Sequence, residues 1–136
     1  MSIKEILTKV LVKLHSLDIH DMNLSTEHGG YLNFENGLSV QWAFDKSFDV
    51  DSALSRIGSS GSYTSNGTIV LDSPILTNLS ASVMVGSTRY STGYRVPFGY
   101  SGMNTTTNAR IVVFDYYARA KDSNWKVSYI LIGKWK

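Results

Sequence analysis

The N-terminal residues carry apolar side chains at alternating spacings of four and three, which is the seam of a heptad repeat. The seam consists of Ile3, Leu7, Val10, Leu14 and Leu17. It predicts a helix over residues 1–22, followed by a connector over residues 23–30. The choice of Leu, Ile and Val along the seam favours three or four strands, so we expect a trimeric coiled-coil stalk. A single amphipathic helix packed on its own domain or on a neighbouring protein is the alternative, because about two heptads make only a marginal isolated helix.

A β-hairpin is predicted directly after the connector. The dipeptide Asn36-Gly37 is typical of a two-residue hairpin turn, because such turns need positive φ angles. In the strand that follows, Leu38, Val40 and Trp42 alternate with polar or small residues, which is the period of a half-buried strand. We expect Val40 and Trp42 to be anchors of the core and of an interface.

Further strand patterns fill the rest of the chain and are separated by short polar segments. They cover residues 67–72, 79–86, 109–118 and 125–135, with short strands around Tyr90 and Val96, a loop at 102–108 and a turn at 121–124. Short strands with turn signals between them predict a mainly β fold, an antiparallel β-sandwich over residues 31–136 behind the N-terminal helix.

Composition narrows the possible partners. The chain has 136 residues, enough for one domain with a real core, and its 13 basic and 11 acidic residues are scattered, with a formal charge of +2. No basic footprint for nucleic acid is present. The apolar runs are too short for membrane insertion, and the N-terminus lacks the uninterrupted apolar segment of a signal peptide, so we expect synthesis in the cytoplasm without export.

Candidate metal ligands lack a recognised spacing. The histidines His15, His20 and His28 lie near Asp21 and Glu27, yet loop histidines in solvent explain them better than a metal site does. There is no cysteine, so thiolate metal sites and thiol catalysis are excluded. We expect no metal and no cofactor.

Carboxylates for a polysaccharide depolymerase are available at Asp72, Asp115 and Asp122, but none lies in a recognisable motif. Cleavage of a glycosidic bond needs two carboxylates placed across it. No histidine beyond position 28 offers the sandwich a general base. We therefore expect a protein that is not an enzyme.

Two blocks of the sequence resemble a known family. The block Gly-Tyr-Leu-Asn-Phe-Glu-Asn-Gly-Leu-Ser-Val-Gln-Trp-Ala at 30–43 and the closing segment with Trp125, Tyr129, Ile130, Ile132 and Gly133 look like the C-terminal domain of bacteriophage tail fibres. The match covers about residues 29–136. It departs from the family pattern at Ala43, where the family usually has Gly, and in the middle of the domain, where the similarity is weak.

The resemblance implies an H-type-lectin-like β-sandwich in a phage virion protein, a trimeric tail-fibre or tail-tip adhesin for host cell-surface glycans. It also implies attachment of the N-terminal helix to other phage tail or baseplate proteins. A virion connector or fibre-attachment protein that uses the same fold for protein contacts is the alternative. Sugars are usually bound by aromatic faces with amide and guanidinium groups, and residues 86–108 supply Arg89, Tyr90, Tyr94, Arg95, Tyr100 and Asn104 as candidate ligand-binding residues.

Overall fold

A computed structural model describes residues 1–15, 18–26 and 28–136, with side chains for all of these except 10–15, 25, 26 and 79. Within these residues, one helix precedes eleven strands in chain order. They are α1 (Ile3–His15), β1 (Ile19–Thr26), β2 (Gly29–Phe34), β3 (Leu38–Ser47), β4 (Asp49–Val50), β5 (Ser55–Arg56), β6 (Tyr63–Val70), β7 (Ser82–Tyr90), β8 (Val96–Pro97), β9 (Gly99–Met103), β10 (Asn108–Asp115) and β11 (Trp125–Lys134). A short 3₁₀ turn, Leu79–Ala81, leads into β7.

Helix α1 begins with a capping box. The Ser2 hydroxyl accepts a hydrogen bond from the Glu5 backbone N–H at 3.2 Å, and the Glu5 carboxylate accepts one from the Ser2 N–H at 2.9 Å. The helix ends at His15 rather than near residue 22, and strand β1 lies where a connector was predicted. The heptad pattern predicted too long a helix. The residues after it form β1 instead, because their backbone groups gain hydrogen-bond partners by pairing with β2.

The structure describes the side chains of only some residues of the predicted heptad seam. Ile3 and Leu7 are 77% and 56% exposed, whereas the side chains of Val10 and Leu14 and all of Leu17 lie outside the described residues. Across the described part of the chain, no helix has the length and apolarity that a membrane span requires.

The predicted hairpin of β2 and β3 is confirmed, but its turn is longer. Asn33 pairs with Ser39, so the loop holds Glu35, Asn36 and Gly37. Only Gly37 has a positive φ, at 90°, and a Cβ there would come within 2.9 Å of a backbone oxygen. This is the three-residue hairpin loop with glycine in the left-handed position, not the two-residue turn.

The strands form two antiparallel sheets, which confirms the predicted mainly β, antiparallel fold. The larger sheet has the order β1-β2-β3-β11-β7-β8. The smaller sheet has the order β4-β6-β10-β9, with β5 also paired to β6. Strands β10 and β11 follow one another in sequence but belong to different sheets, so the segment between them crosses from one sheet to the other.

One core lies between the sheets. Strand β11 contributes Trp125, Val127, Tyr129 and Leu131, each at most 3% exposed. The small sheet supplies alternate residues of β6 and β10, of which Ile69, Ile111 and Val113 are fully buried. No disulfide contributes to holding the sheets together, since the chain has no cysteine, and this packed core joins them.

The alternation in β3 is confirmed, yet its polar side is the one that faces the core. Ser39, Gln41 and Ala43 are at most 2% exposed, whereas Val40 and Trp42 lie half-buried on the outer face. The Gln41 side chain donates to the Ser73 carbonyl at 2.8 Å, and the Asn33 side chain donates to the Ser73 hydroxyl at 2.6 Å. These bonds give the buried side-chain amides of Gln41 and Asn33 acceptors for their N–H groups. Val40 and Trp42 face outward, contrary to the expectation that they are core residues.

Strand β7 buries the face that holds Met84. Val83 and Val85, which share the other face, are 56% and 64% exposed, while Met84 is 3% exposed. The 3₁₀ turn before Ser82 shifts the start of the strand and with it the face that reaches the core.

Candidate functional site

The two ends of the sandwich differ in chemistry. At one end, called here the turn end, lie the β2–β3 loop of residues 35–37, the start of β1 and the end of β11. At the opposite end lie the loops 91–95 and 116–124, which follow β7 and β10. This second end carries several tyrosines and is called the tyrosine end.

Asp115 is the centre of the tyrosine end. It closes β10, its side chain is only 5% exposed, and it accepts three hydrogen bonds. They come from the Tyr94 hydroxyl at 2.6 Å, the Tyr117 backbone N–H at 3.0 Å and Nε of Arg119 at 3.0 Å. One buried carboxylate therefore ties the loop after β7 to the loop after β10.

The aromatic rings around this carboxylate are arranged in contact. The Arg119 guanidinium lies 5.0 Å from the centroid of Tyr90 and 4.8 Å from that of Tyr117. Tyr94 and Tyr116 lie 6.1 Å apart with a tilt of 43°. Cation–π and tilted ring contacts of this kind fix the orientation of side chains. Tyr94, Tyr116 and Tyr117 nevertheless remain 45%, 66% and 58% exposed.

Backbone contacts also hold the loop of residues 91–95. The Ser91 N–H donates to the Asn124 carbonyl at 2.8 Å, and the Gly93 N–H donates to the Tyr90 carbonyl at 3.0 Å. The Tyr90 hydroxyl donates to the Asp122 carboxylate, a bond that lowers the pKa of Asp122. The tyrosine end is thus a fixed surface rather than a set of independent loops.

A second carboxylate, Asp45, anchors the other side of the same loop. Arg89 donates two hydrogen bonds of 3.0 Å to it, and Arg95 donates one of 2.8 Å. The hydrogen bonds from Arg89 are the main cause that lowers the pKa of Asp45 to about 2, and the contact with Arg95 adds to it. Asp45 is therefore ionised at neutral pH and acts as a structural partner of two guanidinium groups.

We expect Asp45 to contribute stability that depends on pH. Its pKa is lowered from 3.8 in the unfolded chain, so this contribution is fully present above about pH 4 and is lost as the pH falls towards 2. Asn tolerates the positive φ of position 45, so Asp45→Asn removes the charge with little strain. At pH 7 the variant should lose about 1 kcal/mol, because 38% of the side chain is exposed and solvent screens the pairs.

Denaturant unfolding of both proteins between pH 2 and 7 checks this expectation. The difference in unfolding free energy between wild type and Asp45→Asn should disappear at the acid end. A difference that stays constant across the range would contradict it.

The structure brings four of the six predicted ligand residues to the tyrosine end and leaves two elsewhere. Arg89, Tyr90, Tyr94 and Arg95 lie there, in the contacts described above. The Tyr100 hydroxyl is instead bonded to the Ser82 hydroxyl at 2.7 Å, where β7 begins. Asn104 is exposed in the β9–β10 turn, near the opposite end.

Sequence reasoning missed Tyr116, Tyr117 and Arg119 as site residues. The run from Ala109 to Ala118 was predicted as one strand, but β10 ends at Asp115 and the next residues form a bend. The adjacent tyrosines after a run of β-branched residues were the available signal, because two neighbouring aromatic residues cannot both face the core of a strand.

The outer face of the large sheet is a second candidate surface, and it is apolar. Register places Met22, Leu32, Val40, Ile132 and Val83 in one row across five strands. Trp42, Ile130 and Val85 form a neighbouring row, and the Trp42 ring lies over Gly30. Ile130 and Ile132 are 50% and 45% exposed. A continuous apolar surface of this kind is typical of a protein interface.

The described residues contain no group of three or more His, Cys, Asp or Glu side chains able to hold a metal ion. His20 Nδ1 lies 2.9 Å from a Glu35 carboxylate oxygen, and its ring is 4.5 Å from that of Trp135. His28 is exposed, and the side chain of His15 and all of Glu27 lie outside the description. The carboxylates named for catalysis have structural contacts, Asp72 with Lys46, Asp115 with Arg119 and Asp122 with Tyr90.

Comparison of the chain with protein-family models, with curated proteins and with solved structures finds no match.

Proposed function

We propose that the chain is a phage virion protein, a trimeric tail-fibre or tail-tip adhesin that recognises host cell-surface glycans and catalyses no reaction. The observation that carries the proposal is that the helix and the exposed tyrosines lie at opposite ends of the sandwich. The chain leaving α1 enters the sandwich at the turn end, where the Asp18 carbonyl accepts a hydrogen bond from the Glu35 N–H at 2.9 Å. The exposed tyrosines lie at the other end.

This arrangement suits attachment at one end and recognition at the other. The helix would join the protein to other tail or baseplate proteins through its apolar side, on which Ile3 and Leu7 are exposed. The sequence blocks at 30–43 and 125–133 support the same function through their resemblance to tail-fibre domains. Within the virion, the tyrosine end would then point away from the attachment site.

The apolar outer face of the large sheet supports assembly of copies. In a single copy its rows leave side chains such as Val85 and Ile130 half or more exposed to water, and burial of apolar area drives association. A homotrimer would bury this face near its axis and leave the tyrosine ends free.

The same face also favours the second candidate, a virion connector that uses the sandwich for protein contacts. Cell binding separates the two. Fluorescently labelled protein should be retained by some strains in a panel of bacteria, and purified surface polysaccharide of a retained strain should compete. Retention by no strain, together with stable assembly of the purified chain, would refute the adhesin and favour the connector.

A further inference from the structure

The exposed rings at the tyrosine end are arranged before any ligand arrives. Asp115 fixes the Tyr94 ring through its hydroxyl and the Tyr117 backbone through its N–H. Arg119 lies against the Tyr117 ring while it is bonded to the same carboxylate. A surface that is already ordered loses little conformational entropy on binding. Tyrosine adds to this advantage, because it offers a large contact area with few rotatable bonds.

The charges around the rings limit the class of ligand. The three carboxylates of this end, Asp45, Asp115 and Asp122, already accept hydrogen bonds from arginine or tyrosine side chains. Arg95 has a side chain 45% exposed and shares Asp45 with Arg89, which leaves one positive charge in excess there, whereas Asp122 is bonded to uncharged groups and keeps one negative charge. The charges of these three carboxylates and of Arg89, Arg95 and Arg119 therefore cancel, which favours an uncharged ligand over a charged one.

The polar groups point to the same class. Tyr116 and Tyr117 have the most exposed rings among the tyrosines of this end. Within the described part of the chain, their hydroxyls make no hydrogen bond to other residues. Ring faces with hydroxyl groups at their rims match a sugar, which has an apolar C–H face and hydroxyls around its edge. The site is a surface rather than an enclosed cavity, which suits one unit of a long polysaccharide.

We propose that Tyr116 and Tyr117, with Tyr94 beside them, form a binding site for an uncharged saccharide unit. Asp115 and Arg119 are positioning residues of this site. The proposal rests on the proposed function as an adhesin and narrows it to one end of the sandwich. It also implies that Tyr100 and Asn104, which lie elsewhere, do not contact the sugar.

The test uses the full chain and a panel of purified bacterial surface polysaccharides and methyl glycosides, both neutral and acidic. Binding is measured by titration, and the site is mapped by NMR chemical-shift changes. Three variants are compared with wild type, namely Tyr116→Ser/Tyr117→Ser, Tyr116→Phe/Tyr117→Phe and the control Leu76→Ser. Leu76 is 39% exposed and lies beside Lys134 at the turn end.

The Ser variant should weaken binding at least about tenfold, because two rings lose their contact area. The Phe variant should bind better than the Ser variant, and the Leu76 control should match wild type. Chemical-shift changes should cluster at residues 91–95 and 115–119. Sugar binding that the Ser variant leaves intact, or that maps elsewhere, would overturn this site but not the adhesin. Equal losses in the Ser and Phe variants would overturn ring stacking. Failure of wild type to bind any member of the panel would overturn both proposals.

Discussion

Val85→Lys combined with Ile130→Glu is expected to release monomers from the proposed trimer without unfolding the sandwich. The two residues are directly paired on the outer face of the large sheet and are 64% and 50% exposed in one copy. Opposite charges in a cross-strand pair are compatible with the sheet. Buried between copies, the same charges would lose their hydration, at a cost of several kcal/mol. Sedimentation velocity should show that the association constant falls at least about a hundredfold.

Val70→Glu is the matched control for this variant. Val70 is 59% exposed, but it lies at the end of β6 in the small sheet. We expect it to leave assembly unchanged and thermal unfolding close to that of wild type. Assembly that survives the double substitution on the large sheet, or that is lost equally in Val70→Glu, would refute the outer face as the interface.

Trp125→Ala is expected to have the largest effect on stability. Trp125 is 1% exposed, and its ring packs edge-on against Phe48 and Tyr90 at 6.1 and 5.3 Å. Its Nε1 donates to the Ala120 carbonyl at 3.0 Å and so holds the loop before β11. Removing a buried tryptophan costs about 3–5 kcal/mol, because a cavity replaces the ring. Urea unfolding measures this loss.

Trp125→Phe separates the two contributions of the ring. It keeps most of the packing and removes the donor to Ala120, so it should cost about 1–3 kcal/mol. A loss below about 1 kcal/mol in Trp125→Ala would contradict the placement of this side chain at the centre of the core.

The sequence predicted the strands of this fold better than their inner faces. Alternation in β3 is plain, with Val40 and Trp42 on one side and Gln41 on the other. A period of two identifies a strand, but it does not say which of the two sides of the strand faces the core. The structure turns Gln41 inward because the Ser73 carbonyl, far away in sequence, accepts its hydrogen bond. That contact cannot be seen in a local pattern.

The candidate site was predictable only in part, for a similar reason. The polar aromatic segment after β7 drew attention to Tyr94 and Arg95, which the structure places at the tyrosine end. Tyr117 lies in the stretch 109–118 that was predicted as one strand, and Arg119 lies between that stretch and the predicted turn at 121–124. They join Tyr94 only because β10 and β11 belong to different sheets and the segment between them crosses that end.

The mass of the full chain in solution tests the central claim most directly, that the chain assembles as a homotrimer. Light scattering coupled to size exclusion should give three times the chain mass of 15.1 kDa. A negative-stain image of that particle should show threefold symmetry. A monomer at micromolar concentration would contradict the account.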